Sequence, residues 1–361
     1  KHGIKLVLGY TVEGFKEKDN GVEVLLKDNP SLHADMVVLA IGVTPDTALA
    51  KEADLELGIK ESIVVNDRME TSVPDIYAAG DAVQVKHYVT GNDALISLAG
   101  PANKQGRIIA DNICGGDSRY LGSQGSSVIK VFDMTAATTG INETNAKKSG
   151  LEVDTVILSP MSHAGYYPGG KVMTMKVVFE KETYRLLGAQ IIGYEGVDKR
   201  IDVLATAIHA GLKATQLKDL DLAYAPPYSS AKDPVNMAGF MIDNIAKGTL
   251  KQWHLEDMDK ISRDKSVVLL DVRTVGEFNR GHMDGFKNIP VDELRERINE
   301  IEKGKPVYLI CQSGLRSYIA SRILEGNGYE TYNFSGGFRF YDAVVNDRAL
   351  IEKAYACGMD Y

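Results

Sequence analysis

The chain has 361 residues, of which 44% are hydrophobic and 25% are charged, and its formal net charge is −8 at pH 7. This length allows two or three domains, and the composition is typical of a globular protein. The negative charge disfavours nucleic acid and anionic membranes as partners, because both usually require a basic patch. No run of about 18 apolar residues predicts a membrane span.

The three cysteines, Cys114, Cys311 and Cys357, are widely spaced along the chain. They form neither a disulfide framework nor the paired spacing of a zinc site, so we expect no metal site. Free cysteines are typical of a reducing compartment, which predicts a cytoplasmic protein.

Residues 1–118 are predicted to form strands and turns followed by one helix. Apolar residues alternate or cluster in four candidate strands, at residues 4–8, 21–28, 35–42 and 76–79. A helix that ends at two glycines is predicted by the spacing of Ile96, Ala99, Ile108, Ile109 and Ile113. Cys114 follows this helix and is expected to be a small buried residue.

Residues 119–248 are predicted to form an α+β domain. Strands are expected at residues 126–133, 153–159, 172–180 and 186–193, and a polar turn joins the last two as in a hairpin. A helix over residues 197–212 places four apolar residues on one face: Ile201, Leu204, Ile208 and Leu212. Strands followed by a helix indicate an α+β layer.

Residues 249–361 are predicted to form a compact α/β domain, preceded by a linker at residues 247–260 that holds Trp253. Strands at residues 266–273, 305–311 and 330–334 alternate with helices at residues 292–304 and 316–328. Leu294, Ile298 and Ile301 mark the buried stripe of the first helix. The predicted fold class is therefore multidomain, α/β and α+β.

Cys311 lies at the carboxyl end of the predicted central strand, where open α/β sheets bind ligands. The loop that follows leads into a helix N-terminus and comprises Gln312, Ser313, Gly314, Leu315, Arg316 and Ser317. Amides of such a loop, backed by the helix dipole, form an anion nest that favours a thiolate, and Arg316 adds positive charge. Two alternatives are a buried structural cysteine and a phosphatase loop, in which the arginine comes six positions after the cysteine.

The segment "LLDVRTVGEFNRGHMDGFKNIP", followed by "CQSGLRS", resembles a rhodanese (sulfurtransferase) domain. The resemblance implies that Cys311 carries sulfane sulfur as a persulfide, stabilised by the loop amides. It also implies that Arg316 helps to hold the anionic sulfur. Four further residues match the first motif of that family and are expected to form scaffold ion pairs and turns: Asp271, Arg273, Glu277 and His282.

The segments "DMVVLAIGVTPDT" and "TSVPDIYAAGDAV" resemble the flavoprotein pyridine-nucleotide-disulfide oxidoreductases, a family that uses FAD and NAD(P)H. The resemblance implies a partial Rossmann-like region in which Gly80 and Asp81 contact FAD. A carboxylate at a strand end accepts hydrogen bonds from ribityl hydroxyls, and glycine allows a close approach of the backbone. The residues expected near the isoalloxazine ring are Leu98, Ala99, Pro101 and Asn103.

The segments "SHAGYYPGG" and "DLAYAPPYSSAKDPVN" are similar to coenzyme A-disulfide reductases and their rhodanese fusions, the NADH-dependent persulfide reductases. The resemblance implies a dimerisation domain and a homodimer. Tyr166 and Tyr224 would reach into the partner's active site, beside a thiol, disulfide or persulfide of coenzyme A. A phenol donates a hydrogen bond to a thiolate while its ring packs against an apolar arm. Tyr167 and Tyr228 are the alternative assignments.

Two sequence features of such a reductase are not found. No G-x-G-x-x-G follows a strand, and no cysteine precedes Cys114. We therefore expect the C-terminal part of a reductase fused to a rhodanese, and whether this part alone binds FAD stays open. The alternatives are a stand-alone sulfurtransferase whose residues 1–245 only dimerise, and a persulfide-sensing scaffold. The sequence does not distinguish NADH from NADPH as the reductant. It is equally compatible with CoA disulfide, CoA persulfide or polysulfide as the substrate.

Overall fold

A computed structural model describes residues 3–356, which divide into two compact units. One unit contains residues 3–43 and 341–356, and the other contains residues 44–340. The first unit has a three-stranded antiparallel sheet of β1 (Val12–Lys18), β2 (Gly21–Leu26) and β3 (Asn29–Ala34). The strand predicted at residues 21–28 is therefore confirmed.

Two other strands predicted in this unit are wrong. Residues 4–8 and 36–40 have no regular secondary structure, and Met36, Val38 and Ile41 are 75%, 75% and 90% exposed. A strand needs a neighbour that takes up its backbone N–H and C=O groups. Neither segment pairs with another strand among the described residues, so apolar residues alone do not form a strand here.

The larger unit begins with short elements packed around one long helix. These elements are α1 (Ala48–Glu52), a 3₁₀ turn (Ile59–Glu61), β4 (Ile63–Val64), β5 (Val83–Lys86), β6 (Asp93–Ala94) and α2 (Ala99–Ile113). Met69, Val83 and Val85 form a small core, against which Ile108 and Ile109 of α2 pack. The predicted helix is confirmed.

Two predictions in this region are wrong. Residues 76–79 form only an isolated bridge, from Tyr77 to Glu70, because the chain turns at Asp75 and again at Gly80, both with positive φ. Cys114 is exposed rather than buried. It follows buried Asn112 by two residues, and about 100° of helical rotation per residue places it on the opposite side of α2.

An antiparallel five-stranded sheet follows. Its elements are β7 (Ser127–Val131), β8 (Met134–Gly140), α3 (Glu143–Lys148), β9 (Val153–Leu158), β10 (Thr174–Glu180), β11 (Leu186–Gly193), α4 (Val197–His209), a 3₁₀ turn (Ala214–Asp219) and α5 (Pro234–Ala246). The strand order is β7-β8-β11-β10-β9, and α4 buries Ile201, Leu204 and Ile208 in the same core. The α+β prediction is confirmed. Strand β8 was not predicted, because it consists mainly of threonine, alanine and glycine and has no alternation of large apolar residues.

A parallel five-stranded sheet completes the larger unit. Its elements are β12 (Gln252–Trp253), a 3₁₀ turn (Leu255–Asp257), α6 (Met258–Ile261), β13 (Val268–Asp271), α7 (Val275–Arg280), β14 (Lys287–Asn288), a 3₁₀ turn (Ile298–Glu300), β15 (Val307–Ile310), α8 (Leu315–Glu325) and β16 (Thr331–Phe334). Helix α9 (Gly337–Ala356) begins in this unit, and its residues 341–356 belong to the first unit. The strand order is β12-β16-β15-β13-β14. Strand β15 is therefore central, as predicted.

The segment predicted as a linker supplies an edge strand instead. Trp253 is 2% exposed, and it pairs in parallel with Phe334 of β16. Its indole N–H donates to the Leu309 C=O at 3.3 Å, and its ring centroid lies 4.4 Å from that of Phe334. A large aromatic ring with a packed core and a hydrogen-bond acceptor belongs to the domain rather than to a linker.

The helix predicted at residues 292–304 is wrong, although the burial of its apolar residues is right. Leu294 and Ile301 are 0% and 3% exposed, but only the 3₁₀ turn Ile298–Glu300 forms. The Tyr329 hydroxyl donates to the carbonyls of Ile298 and Ile301, at 3.2 and 3.1 Å. These tertiary hydrogen bonds compete for carbonyls that an α-helix would use, so tertiary contacts override helix propensity.

Replacing Trp253 with alanine is expected to lower the free energy of unfolding by about 3 to 5 kcal/mol, because a buried ring and its hydrogen bond are lost. Chemical denaturation followed by circular dichroism measures this change. The control Leu121→Ala truncates a side chain that is 69% exposed and should cost less than about 0.5 kcal/mol. Equal losses in the two variants would contradict the place of Trp253 in the core.

Candidate functional site

The turn between β15 and α8 buries Cys311 and surrounds its Sγ with hydrogen-bond donors from Gly314 and Ser317, an arrangement that we call the cysteine cradle. Cys311 is 1% exposed, and its Sγ accepts hydrogen bonds from the Gly314 N–H at 3.1 Å and the Ser317 hydroxyl at 3.2 Å. Gly314 has a φ of +101°, a conformation that glycine adopts without steric cost. Because α8 starts at Leu315, its N-terminal dipole also lies beside the sulfur and favours negative charge there.

Residues outside the predicted loop hold this turn from behind. Asn333 of β16 donates through Nδ2 to the Gly314 C=O at 3.1 Å, and the Phe338 N–H donates to the Cys311 C=O at 2.8 Å. A Cβ on Gly337 would lie 2.7 Å from the Gln312 carbonyl oxygen. Only glycine therefore fits at position 337, where the backbone passes close to the cysteine loop. Sequence reasoning missed these contacts; the pair of glycines after β16 was the available signal.

Arg316 is held by Glu277 rather than by the sulfur. The two guanidinium Nη atoms donate to the two Glu277 carboxylate oxygens at 2.7 Å each. This pairing lowers the pKa of Glu277 to about 2, despite the opposing effect of burial. Glu277 also closes a capping box with Thr274 at the start of α7. The structure gives no hydrogen bond from Arg316 to Sγ among the described residues.

The remaining residues of the first rhodanese-like motif form scaffold around the loop. Asp271 and Arg273 are 0% and 1% exposed and form an ion pair at 2.6 Å. Arg273 also lies within hydrogen-bond distance of the Gln312 side chain, at 3.4 Å. The His282 ring stacks on Phe278, with 3.9 Å between ring centroids. The ion pair therefore links β13 to the cysteine loop.

A second site lies in the α+β domain, where the structure brings Tyr166 and Tyr224 together. Their hydroxyl oxygens are 2.8 Å apart, and the side chains are 77% and 45% exposed. The hydrogen bond with Tyr166 raises the pKa of Tyr224. Tyr167 instead packs edge-on against His163, and Tyr228 lines the same cavity as Tyr224.

A cavity of about 480 Å³ opens beside Tyr224. Its walls include His163 from one loop, Tyr224 and Tyr228 from another, and Lys199 from the first turn of α4. The Lys199 ammonium donates to the Ala223 C=O at 3.3 Å. The cavity therefore combines apolar and aromatic walls with two cations, Lys199 and Arg200, and one carboxylate, Glu195, a mixed lining that suits an amphipathic ligand with a charged end.

The residues predicted to contact FAD lie around the start of α2. Gly80 has a φ of +89°, and a Cβ there would be 3.9 Å from Ala102 of the first turn of α2. The Gly80 N–H donates to the side chain of buried Gln105 at 2.7 Å, a residue that sequence reasoning missed. Leu98, the residue before α2, provides no side-chain cap, and Pro101 has no N–H, so the amides that remain to bind an anionic group at this helix start are those of Ala99 and Gly100.

Two other residues predicted to contact FAD, Asp81 and Asn103, differ in whether their side chains are free. Asp81 is exposed and makes no ion pair or hydrogen bond with the part of the chain that the structure describes. The Asn103 side chain donates to the Ala99 C=O at 2.8 Å and so folds back on its own helix. Free amides beside a free carboxylate match a cofactor that carries both phosphate and hydroxyl groups, so the residues present fit FAD.

Residues 3–356 contain neither a membrane-spanning helix nor a candidate metal site. No helix in this range is both long and apolar enough to cross a lipid bilayer. No group of three or more histidine, cysteine, aspartate or glutamate side chains in it is arranged to hold a metal ion. Cys357 lies outside the described residues.

Three family models match successive parts of the chain. Residues 1–106 match the pyridine nucleotide-disulphide oxidoreductases, residues 126–234 match the dimerisation domain of the same proteins, and residues 254–343 match the rhodanese-like domain. The matches cover in turn the residues predicted to contact FAD, the tyrosine pair and the loop around Cys311.

Individual relatives combine these parts. The chain is 37% identical over 235 residues to a protein from Pyrococcus abyssi named NAD(P)H sulfur oxidoreductase (CoA-dependent), covering 65% of this chain and 52% of that one. The crystal structure of reduced CoADR-RHD from Bacillus anthracis matches with a TM-score of 0.90 and 46% identity, over 94% of this chain and 60% of that one. A NAD-dependent persulfide reductase from A. fulgidus matches with a TM-score of 0.82 and 40% identity, over 92% and 61%. The chain thus spans about half the length of the curated relative and about 60% of the two solved chains.

The Glu277–Arg316 pair predicts a specific pH dependence. Because the folded-state pKa of Glu277 lies below its unfolded value, the pair contributes stability above about pH 4.5 that is lost as the pH falls toward 2. The free-energy difference between wild type and Glu277→Gln should therefore shrink over this range in denaturation series at successive pH values. The control Glu182→Gln, at an exposed carboxylate, should show a constant difference. A constant difference for Glu277→Gln would contradict the ion pair.

Proposed function

We propose that the chain, which belongs to the pyridine nucleotide-disulphide oxidoreductases and carries a rhodanese-like domain, is part of an NAD(P)H-dependent reductase of coenzyme A disulfide or persulfide. In this proposal the rhodanese-like domain carries sulfane sulfur on Cys311. The observation that carries the proposal is the cradle around Sγ, with one amide and one hydroxyl donor at a helix N-terminus. Two of the similar proteins are named for CoA-dependent sulfur reduction and for persulfide reduction.

Cys311 acts as the nucleophile in the proposed sulfur transfer. Its thiolate attacks the outer sulfur of a donor persulfide, R–S–S–H. One S–S bond forms and one breaks, the donor leaves as the thiolate R–S⁻, and Cys311 becomes Cys–S–S–H. The Gly314 amide and the Ser317 hydroxyl stabilise the attacking thiolate, and the charge of Arg316 does so from a distance.

The tyrosine pair serves the proposed reductive half of the chemistry. Tyr166 and Tyr224 share one hydrogen bond, so the hydroxyl that does not donate within the pair can donate outward. Such a donor stabilises a sulfur anion that leaves during disulfide or persulfide cleavage. We assign both tyrosines to a partner subunit's active site in a cytoplasmic homodimer, consistent with the match to a dimerisation domain.

FAD would be held by Gly80, Asp81 and the first amides of α2, with Leu98, Pro101 and Asn103 nearby. When bound, FAD would supply the transfer of reducing equivalents from NAD(P)H to a thiol–disulfide centre. The residues of this chain contribute binding: an acceptor for hydroxyls at Asp81 and donors for an anionic group at α2.

The proposed sulfur carrier is tested by intact mass after incubation with coenzyme A persulfide. We expect a gain of one sulfur atom, about 32 Da, on the wild-type chain and none on Cys311→Ser, because only the cradled thiolate takes the sulfur. Cys114→Ser is the matched control, since Cys114 is exposed and has no such cradle, and it should gain the sulfur like wild type. A gain on Cys311→Ser would rule out Cys311 as the carrier and leave the domain as a scaffold.

The role of the tyrosines is tested by steady-state NAD(P)H oxidation in the flavin-loaded enzyme with coenzyme A persulfide. Tyr166→Phe and Tyr224→Phe should each lower kcat on the order of 100-fold, the usual contribution of a positioned proton donor. Tyr167→Phe removes a neighbouring hydroxyl outside the pair and should leave kcat within about twofold of wild type, since it loses no such donor. Unchanged kcat in Tyr166→Phe and Tyr224→Phe would exclude the pair from the chemistry.

A further inference from the structure

The tyrosine pair is built on a buried ion pair that no motif predicted. Arg200, in the first turn of α4, is 1% exposed, and Asp233, just before α5, is 3% exposed. The Arg200 Nε and Nη2 atoms lie 3.1 and 2.9 Å from Asp233 Oδ2. Charges removed from water are tolerated only when their hydrogen-bonding groups are satisfied. The surroundings of this pair are therefore tightly constrained.

The Arg200 guanidinium contacts both loops that carry the tyrosines. We call residues 160–171, which include Tyr166, tyrosine loop 1, and residues 221–232, which include Tyr224, tyrosine loop 2. Arg200 Nη2 lies 3.0 Å from the Ser162 carbonyl oxygen of loop 1 and 3.1 Å from the Ser229 Oγ of loop 2. One planar group thus joins the two loops.

The loops are also joined directly beside this guanidinium. The Ala164 N–H of loop 1 donates to the Ser229 C=O of loop 2 at 2.9 Å. The Ser229 hydroxyl accepts from Arg200 and donates to Asp233 Oδ2 at 2.7 Å. Ser229 is 0% exposed, so water cannot replace either contact.

The guanidinium is itself fixed to a rigid element. Arg200 Nη1 donates to the Gly196 C=O at the start of α4, at 3.2 Å, and Leu204, one turn further on, is 0% exposed in the core against the five-stranded sheet. The sheet and α4 therefore set the position of Arg200, and Arg200 sets the position of both loops.

We propose that Arg200 is a positioning residue for the reductase chemistry: it holds tyrosine loops 1 and 2 so that the hydroxyls of Tyr166 and Tyr224 stay in contact. The importance of that contact for turnover rests on the function proposed above. The positioning itself depends only on the geometry of Arg200, Ser229 and Asp233.

The guanidinium is required for its shape as well as its charge. Asp233 caps α5 through Oδ1, which accepts from the Val235 N–H at 2.9 Å, and this contact does not involve Arg200. The link between the loops needs several donors in one plane, which arginine provides and lysine does not. Arg200→Lys therefore keeps the buried charge and removes the link.

The contact between the hydroxyls can be observed without any turnover. We would place 3-fluorotyrosine at position 224 and record its ¹⁹F chemical shift in the folded chain. Tyr166→Phe defines the shift that follows loss of the hydroxyl contact. Arg200→Lys and Ser229→Ala are expected to reproduce at least half of that change.

A buried hydroxyl elsewhere in the same domain supplies the control. Thr139 on β8 is 1% exposed, and its hydroxyl lies 2.7 Å from the Ser126 Oγ. Thr139→Val should destabilise the domain without moving the ¹⁹F signal. If Arg200→Lys does not fold, Ser229→Ala carries the test. An unmoved ¹⁹F signal in the folded variants, or an equal change in Thr139→Val, would overturn the proposal.

A double-mutant cycle in the flavin-loaded enzyme separates positioning from general damage. Arg200→Lys should lower kcat on the order of 10- to 100-fold, because displaced catalytic groups lose this much. Added to Tyr166→Phe/Tyr224→Phe, it should lower kcat by less than about threefold, since it acts through hydroxyls already removed. Losses that multiply would overturn the proposal. A wild-type enzyme that does not reduce coenzyme A persulfide would instead refute the proposed function, and the ¹⁹F result would still decide the positioning.

Discussion

A buried pair of arginine and carboxylate lies beneath each of the two candidate sites. Asp271 and Arg273 support the cysteine loop, and Arg200 and Asp233 support the tyrosine loops. Removing two charges from water is costly, and the cost is offset only when every donor and acceptor finds a partner at good geometry. Each pair therefore requires the loops around it to adopt one arrangement. This requirement is a physical reason why the reactive side chains, buried Cys311 and the exposed tyrosines, are held in fixed positions.

The two sites use this support for different chemistry. In the cysteine loop, the supported groups are an amide and a hydroxyl that face a sulfur atom inside the domain, an arrangement that stabilises a thiolate or a persulfide. In the tyrosine loops, the supported groups are two largely exposed phenols, an arrangement that presents a proton donor to a ligand from outside. A buried nucleophile and an exposed acid are complementary in sulfur transfer, because the sulfur must be protected while it is carried and protonated when it is released as sulfide.

The sequence predicted the parts of the fold that depend on local signals. Cys311 at the end of a central strand, the glycine at position 314 and the helix that follows were all predicted, because strand, turn and helix signals agree there. The choice of Tyr166 and Tyr224 as site residues followed from a family resemblance and not from spacing, since 57 residues separate them, and their hydrogen bond was not predicted. The fold class could also be predicted.

Predictions failed where distant contacts decide the outcome. Residues 292–304 have a helical pattern, but hydrogen bonds from Tyr329 compete for their carbonyls. The apolar residues at positions 36–41 have a strand pattern but no neighbouring strand among the described residues. Arg200 and Asn333 have no local signal, because their importance arises from carbonyls far away in the sequence.

In the proposed function, one protein takes up sulfane sulfur at Cys311 and releases it reductively through coenzyme A. The most direct measurement loads Cys311 with ³⁵S persulfide, removes the donor, and then adds coenzyme A and NAD(P)H to the flavin-loaded enzyme. Coenzyme A thiolate would take the outer sulfur from Cys311 as CoA–S–S–H, and two electrons from NAD(P)H would reduce this persulfide to coenzyme A and sulfide. Labelled sulfide is expected only when coenzyme A and NAD(P)H are both present. Label that stays on Cys311, or labelled sulfide that appears without coenzyme A, would contradict the proposed function.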